Sequence, residues 1–188
     1  MTTDVAAKPT DYRWPIHSID FEASGLGAAT YPIEVGLSTW SGPLKPVRTW
    51  SSLICPTERW HLRGSWHLES ELIHGISAGD LRAGITPGAA MRFLIRTIGG
   101  GGVALCDGGI HDRYWLSELV DAASIPLPFF LADWDPLYAP FSIDQYRAAH
   151  SFQAANPAPH RAGRDAEINL LAFAAGLGLA PNIAEQLP

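Results

Sequence analysis

Cysteine is scarce in this sequence of 188 residues: Cys55 and Cys106 are the only two. Two thiols so far apart supply neither a disulfide framework nor a CxxC metal pair. Cys106 closes an apolar run and reads as a small buried core residue. Net positive charge is also missing. Thirteen Lys and Arg stand against nineteen Asp and Glu, for a formal charge of −6, so no global basic field drives the coating of duplex nucleic acid. A grip on a few nucleotides remains compatible with that balance. No hydrophobic run reaches membrane length: the most apolar stretch, 168–180, is too short and contains Asn169. Residues 1–15 lack the basic-then-apolar pattern of a secretory leader. The expectation is a soluble, cytoplasmic protein with no membrane partner. The phosphate-binding glycine motifs are incomplete. Thr30 stands where the third glycine after Gly25-x-Gly27 belongs, and the run at 99–102 lacks Gly-Lys-Ser/Thr. His61, His67 and His74 do not fall at the ligand spacing of one helix or knuckle.

What is present is the material of a folded core: 47% hydrophobic residues and seven tryptophans. The length suits one domain. Fifteen prolines and eighteen glycines punctuate it with turns. Ile16–Glu22, Ile33–Trp40 and Val47–Cys55 read as strands joined by short turns, an antiparallel meander. Residues 58–67 read as irregular, and 69–74 as a short helix ended by Gly75. Pro87–Ile98 and Asp112–Ala123 carry apolar residues at helical spacing, with Trp115, Leu116 and Leu119 on one stripe of the second. Val103–Cys106 reads as a short buried strand and 129–132 as another. Residues 141–155 and the apolar 163–177 complete the helices. The expectation is an α/β chain: a mixed five-stranded sheet, three antiparallel strands then parallel additions, flanked by helices. Residues 1–13 read as a flexible arm, 14–180 as a single domain, and 181–188 as a tail.

On a strand, Asp20 and Glu22 project from the same face. Like charges that close resist ionising unless a cation lies between them, and hard ions such as Mg2+ or Mn2+ favour such oxygens. Taken alone, the pair reads first as a solvent-facing acidic edge of a strand. Asp112 at the start of a helix is either a further ligand or a first-turn aspartate favoured by the helix dipole. Asp165 has the same two readings. His160, in a loop bounded by prolines, is either a general base for water or a surface histidine.

Taken together these residues resemble the motifs of the DEDDh family of 3′-5′ exonucleases. The matching segments are Asp20-Phe21-Glu22-Ala23-Ser24-Gly25, then Asp112 followed by Trp115 and Leu116, then His160-x-Ala162-x-x-Asp165. Tyr31–Gly36 and Ile73–Ile76 are similar to further family segments. Many members carry His-Asn-Ala-x-Phe-Asp where this chain has Cys106–Asp112, so Asp107 and Asp112 compete for one ligand position. Asp112 is preferred because Trp115 and Leu116 fall where the following helix should bury them.

The resemblance implies an RNase H-like fold and a hydrolase bound to two divalent cations, Mg2+ or Mn2+. It implies one cation held by Asp20, Glu22 and Asp165, and a second held mainly by Asp20 with Asp112 close. His160 would take the proton from the attacking water. The substrate implied is the 3′ end of single-stranded or short RNA or DNA, released as nucleoside 5′-monophosphates. Ala23, Gly25, Leu26, His74 and Ile76 are the implied substrate contacts. The rival reading is a module on the same fold that holds a nucleic-acid end or a protein without cutting. The sequence leaves a homodimer open.

Overall fold

In the central strand, β1 (Ile16–Ala23), the two faces bury different chemistry. Odd-numbered Ile19, Phe21 and Ala23 enter one apolar cluster, whereas Ile16 enters a second. With a side-chain period of two, Asp20 and Glu22 share the face of Ile16. In this computed structural model, which describes residues 6–184, that division organises both layers. β1 pairs antiparallel with β2 (Pro32–Trp40), and β2 pairs antiparallel with β3 (Val47–Leu53). There follow α1 (Glu58–Arg63), α2 (Leu68–His74), α3 (Pro87–Ile98), β4 (Val103–Cys106), α4 (Ile110–Ala123), β5 (Phe130–Asp133), α5 (Asp135–Tyr138), α6 (Ile143–Ala155), α7 (Ala162–Gly176) and β6 (Ile183–Ala184). β4 adds parallel to β1, β5 parallel to β4, and β6 parallel to β3.

Among the described residues the sheet therefore has six strands, in the order β5-β4-β1-β2-β3-β6. The expected five are present with the expected directions. The sixth begins what read as a tail, and its two residues are too few to show a strand pattern. The remainder of the expected tail, 185–188, lies outside the described residues.

α3 and α4 pack on the face of Ile19, Val35 and Leu37, burying Met91, Leu94, Trp115, Leu116 and Leu119. α7 covers the other face with Leu170 and Phe173 fully buried, while Leu171 is half-buried. That face is partly polar: Ser38 shares a hydroxyl hydrogen bond with Thr49 at 2.7 Å, and Thr49 donates to Glu167 at 2.8 Å. The buried Glu167 is also paired with Arg164, so this carboxylate is buried with partners.

Two further expectations change. Residues 58–63 form a helix and not irregular chain, because Thr57 caps it by accepting from the Trp60 N–H at 3.2 Å. Trp60 stacks on Tyr31 at 5.2 Å between centroids and is core. The expected arm 1–13 lies partly outside the described residues. Its described part, 6–13, is tied down: the Ala7 N–H donates to Gln145 at 2.7 Å, and the Tyr12 hydroxyl donates to the Leu137 carbonyl at 3.0 Å. No helix among the described residues is long and apolar enough to cross a membrane.

Candidate metal centre

β1 outruns its parallel neighbour. β4 pairs with β1 only at His17 and Ser18 and ends at Cys106, so Asp20 and Glu22 stand beyond its last residue, at the carboxyl ends of both strands. Crevices at such ends are where open α/β sheets take ligands. The chain leaving β4 turns at Gly108 and Gly109, the latter at φ +56°, and starts α4. This tight turn places both Asp107 and Asp112 opposite Asp20. Ligand atoms of Asp20, Asp107 and Asp112 lie within 4.8 Å of one another. Asp112 is 1% exposed and accepts from the Gly108 N–H at 2.9 Å. A Cβ at Gly108 would come within 2.6 Å of that carboxyl, so glycine is required for the close approach.

The first turn of α7 and the loop before it bring Asp165 and His160 to Glu22. Ligand atoms of Glu22, His160 and Asp165 also lie within 4.8 Å of one another. His160 is exposed and holds φ +56°. Asp165 accepts from the Arg161 N–H at 3.2 Å through Oδ2, while its buried Oδ1 has no partner. Asp20 thus gathers with Asp107 and Asp112, and Glu22 with Asp165 and His160.

The electrostatics are those of crowded acids. Burial, then Asp112, Asp107, Glu22 and Asp165, push the Asp20 carboxyl well above the usual range. Glu22 is raised to about 8, by burial first and then by Asp165 and Glu34. Asp112 is raised to about 6 by burial, against the pull of the Gly108 N–H. Burial also raises Asp165, opposed by the Arg161 N–H. Convergent carboxylates whose crowding and burial resist ionisation, including one orphaned buried oxygen, make a donor set that fits hard divalent cations.

One cleft of about 360 Å3 is lined by Asp20, Glu22, Asp107, Asp112, His160 and Asp165. Ala23, Gly25, Leu26 and His74 line it too. Ile76 does not. Gly75 at φ +68° turns the chain, and Ile76 is 3% exposed within the core; this corrects its placing as a substrate contact. Phe21, Ser70, Ile73, Gly108, His111, Trp115 and Ala158 also line it; of these, Ser70, His111 and Ala158 were not expected at the site. His111 lies tilted against Trp115 at 5.7 Å. Its position two residues into α4, one before Asp112, was the available signal.

The architecture is shared with solved structures. Escherichia coli Exonuclease I in complex with a dA16 oligonucleotide superposes with a TM-score of 0.62 over 86% of this chain, at 14% identity. Its fold is that of the DEDDh-type exonucleases. A 3′-exonuclease described in 3′-end specific recognition of histone mRNA stem-loop matches all of this chain and 71% of its own, with TM-score 0.61 and 13% identity. Cell-death related nuclease 4 matches 88% of this chain and 64% of its own, with TM-score 0.54 and 14% identity. The chain spans only 41% of the length of Exonuclease I. No family model and no curated protein matches the sequence. Within the exonuclease fold, the acids of β1, the β4–α4 turn and α7 meet at one end of the sheet.

Proposed function

We propose that this chain is a metal-dependent 3′-5′ exonuclease, hydrolysing phosphodiester bonds at the 3′ end of single-stranded or short nucleic acid and releasing nucleoside 5′-monophosphates. The observation that carries the reading is the meeting of two ligand triads in one cleft, Asp20-Asp107-Asp112 and Glu22-His160-Asp165.

The five carboxylates would hold Mg2+ or Mn2+. Bound there, such ions neutralise phosphate charge, lower the pKa of a water and stabilise a leaving oxygen. His160 sits on the loop side of the cleft with its imidazole near Glu22 and Asp165, where a ring nitrogen takes the proton of an attacking water. The water oxygen bonds to phosphorus while the phosphorus bond to the 3′ oxygen breaks. Asp112, fixed by the Gly108 N–H, keeps its charge aimed at the centre. Leu26, 60% exposed at the mouth, offers an apolar surface to the terminal base. Gly25 admits no side chain, since a Cβ there would come within 2.4 Å of the His67 ring; that packing holds the loop bearing Leu26 against the α1–α2 segment.

The test is a short 5′-labelled oligonucleotide incubated with Mg2+ or Mn2+, and with EDTA as control. A metal-dependent ladder shortening from the 3′ end is expected. Absence of any ladder, with no thermal stabilisation by Mn2+, overturns the proposal.

A further inference from the structure

His160 holds a left-handed backbone conformation, φ +56°, which a residue with a Cβ adopts at an energetic cost and keeps only where its surroundings impose it. The two residues that follow show what imposes it. Glu34 on β2 is 2% exposed, and its carboxylate takes three hydrogen bonds from them. Arg161 Nη2 donates to Oε1 at 2.7 Å and Nε to Oε2 at 3.1 Å, a bidentate fork. The Ala162 N–H adds a third bond to Oε2 at 3.0 Å. The Arg161 N–H is committed in turn to Asp165 at 3.2 Å. Upstream, Pro157 and Pro159 limit the approach. The strand register places Glu34 opposite Glu22. The strand that pairs with one ligand-bearing residue therefore also grips the chain next to His160.

We propose that Glu34 and Arg161 form a positioning clamp, anchored on β2, that holds the His160 imidazole beside Glu22 and Asp165. Neither side chain touches substrate; both act through His160. The inference rests on the exonuclease reading for its kinetic consequence, but not for its structural one. A carboxylate that merely capped α7 would need only the Ala162 N–H. The bidentate engagement of Arg161, whose side chain is about half exposed at 51%, is the part that a cap does not require.

The test is Glu34→Gln, which keeps an acceptor for Ala162 but breaks the charged fork, with Arg161→Met as the second variant should the first not fold. The fork ends on a half-exposed side chain, so Arg161→Met is expected to fold. Kinetics on a labelled oligonucleotide are measured in the wild-type and His160→Ala backgrounds. In the wild-type background kcat is expected to fall by about 10- to 100-fold, with KM within about twofold, as for a displaced catalytic group. In the His160→Ala background no further loss is expected, because the clamp acts only through that ring. Equal losses in both backgrounds, or an unchanged kcat, overturn the clamp. Nuclear Overhauser contacts between the His160 ring and Asp165 in the metal-free protein give a readout free of activity. They are expected in the wild type and lost in either variant; their survival overturns the clamp. A wild-type protein that does not cleave defeats the exonuclease reading, and the Overhauser result then decides the clamp by itself.

Discussion

Gly36 of β2 and Ala162, the first residue of α7, meet backbone to backbone. A Cβ on Gly36 would fall 2.1 Å from the Ala162 carbonyl carbon and 2.2 Å from its oxygen. No side chain can flex to relieve that contact, so the helix sits as low on the sheet as glycine permits, and Asp165 with it. Gly36→Ala must lift α7 or bend β2. The expected cost is at least the ~1–3 kcal/mol of ordinary overpacking, read as a lower melting temperature, together with weaker Mn2+ binding in a calorimetric titration. Gly100→Ala is the control: nothing lies within 4 Å of a Cβ there, and a change within about 0.5 kcal/mol is expected. Equal effects at the two glycines would contradict the packing argument.

The raised carboxyls make stability depend on pH in a definite direction. Glu22 titrates from an ordinary 4.5 up to about 8 in the folded chain. Between those values the folded state binds more protons than the unfolded one, so stability falls as pH rises through that window. Asp20, Asp112 and Asp165 shift the same way and steepen the fall. A cation among these oxygens removes its cause. In EDTA the melting temperature is expected to drop between about pH 5 and about pH 8, and the rise given by Mn2+ is expected to be larger at the alkaline end. A Mn2+ effect that shrinks with rising pH would show that the cation binds elsewhere.

Asp107 and Asp112 are separated by substitution. Asp112 is buried and hydrogen-bonded to the Gly108 N–H, whereas Asp107 is exposed. Asp112→Asn removes a fixed charge from the centre and is expected to lower kcat by ~100-fold or more, the scale of losing one electrostatic contact in a reacting site. Asp107→Asn is expected to weaken Mn2+ binding by ~10-fold, with a smaller effect on kcat. Calorimetry and steady-state rates on the two variants check both values. The reverse order would make Asp107 the principal ligand.

The sheet was legible because β1 and β2 alternate cleanly, Ile19 and Phe21 against Asp20 and Glu22, and because α7 is apolar over several turns. α1 was hidden: it is six residues long, its one signal is the Thr57 cap, and its aromatic and basic side chains have no helical stripe. Asp20, Glu22, Asp112, His160 and Asp165 each have an ordinary structural reading, so their convergence was legible only from the order of motifs along the chain. The choice between Asp107 and Asp112 was not legible, since a turn through Gly109 at φ +56° sets both before Asp20. Glu34 lies within a family-like segment, yet its partner is 127 positions away, a contact that no local pattern encodes.

His74 and Ile76 were paired in the sequence and part company in space, which yields the last test. His74 Nδ1 accepts from the Ile76 N–H at 3.0 Å, so the ring proton resides on Nε2. Burial lowers the ring's pKa, against the opposing pull of the Ala23 carbonyl. Nε2, buried in the cleft wall, has no hydrogen-bond partner of normal geometry. An unused donor beside the carboxylates suits an acceptor on the terminal nucleotide. His74→Asn preserves the local turn, because its side-chain oxygen can accept from the Ile76 N–H, but it withdraws the donor from the cleft. Losing one such bond costs ~1–3 kcal/mol. The dissociation constant of a nucleoside 5′-monophosphate in Mn2+ is expected to rise by ~5- to 100-fold, with the melting temperature little changed. An unaltered dissociation constant would leave His74 as a support for the Gly75 turn and nothing more.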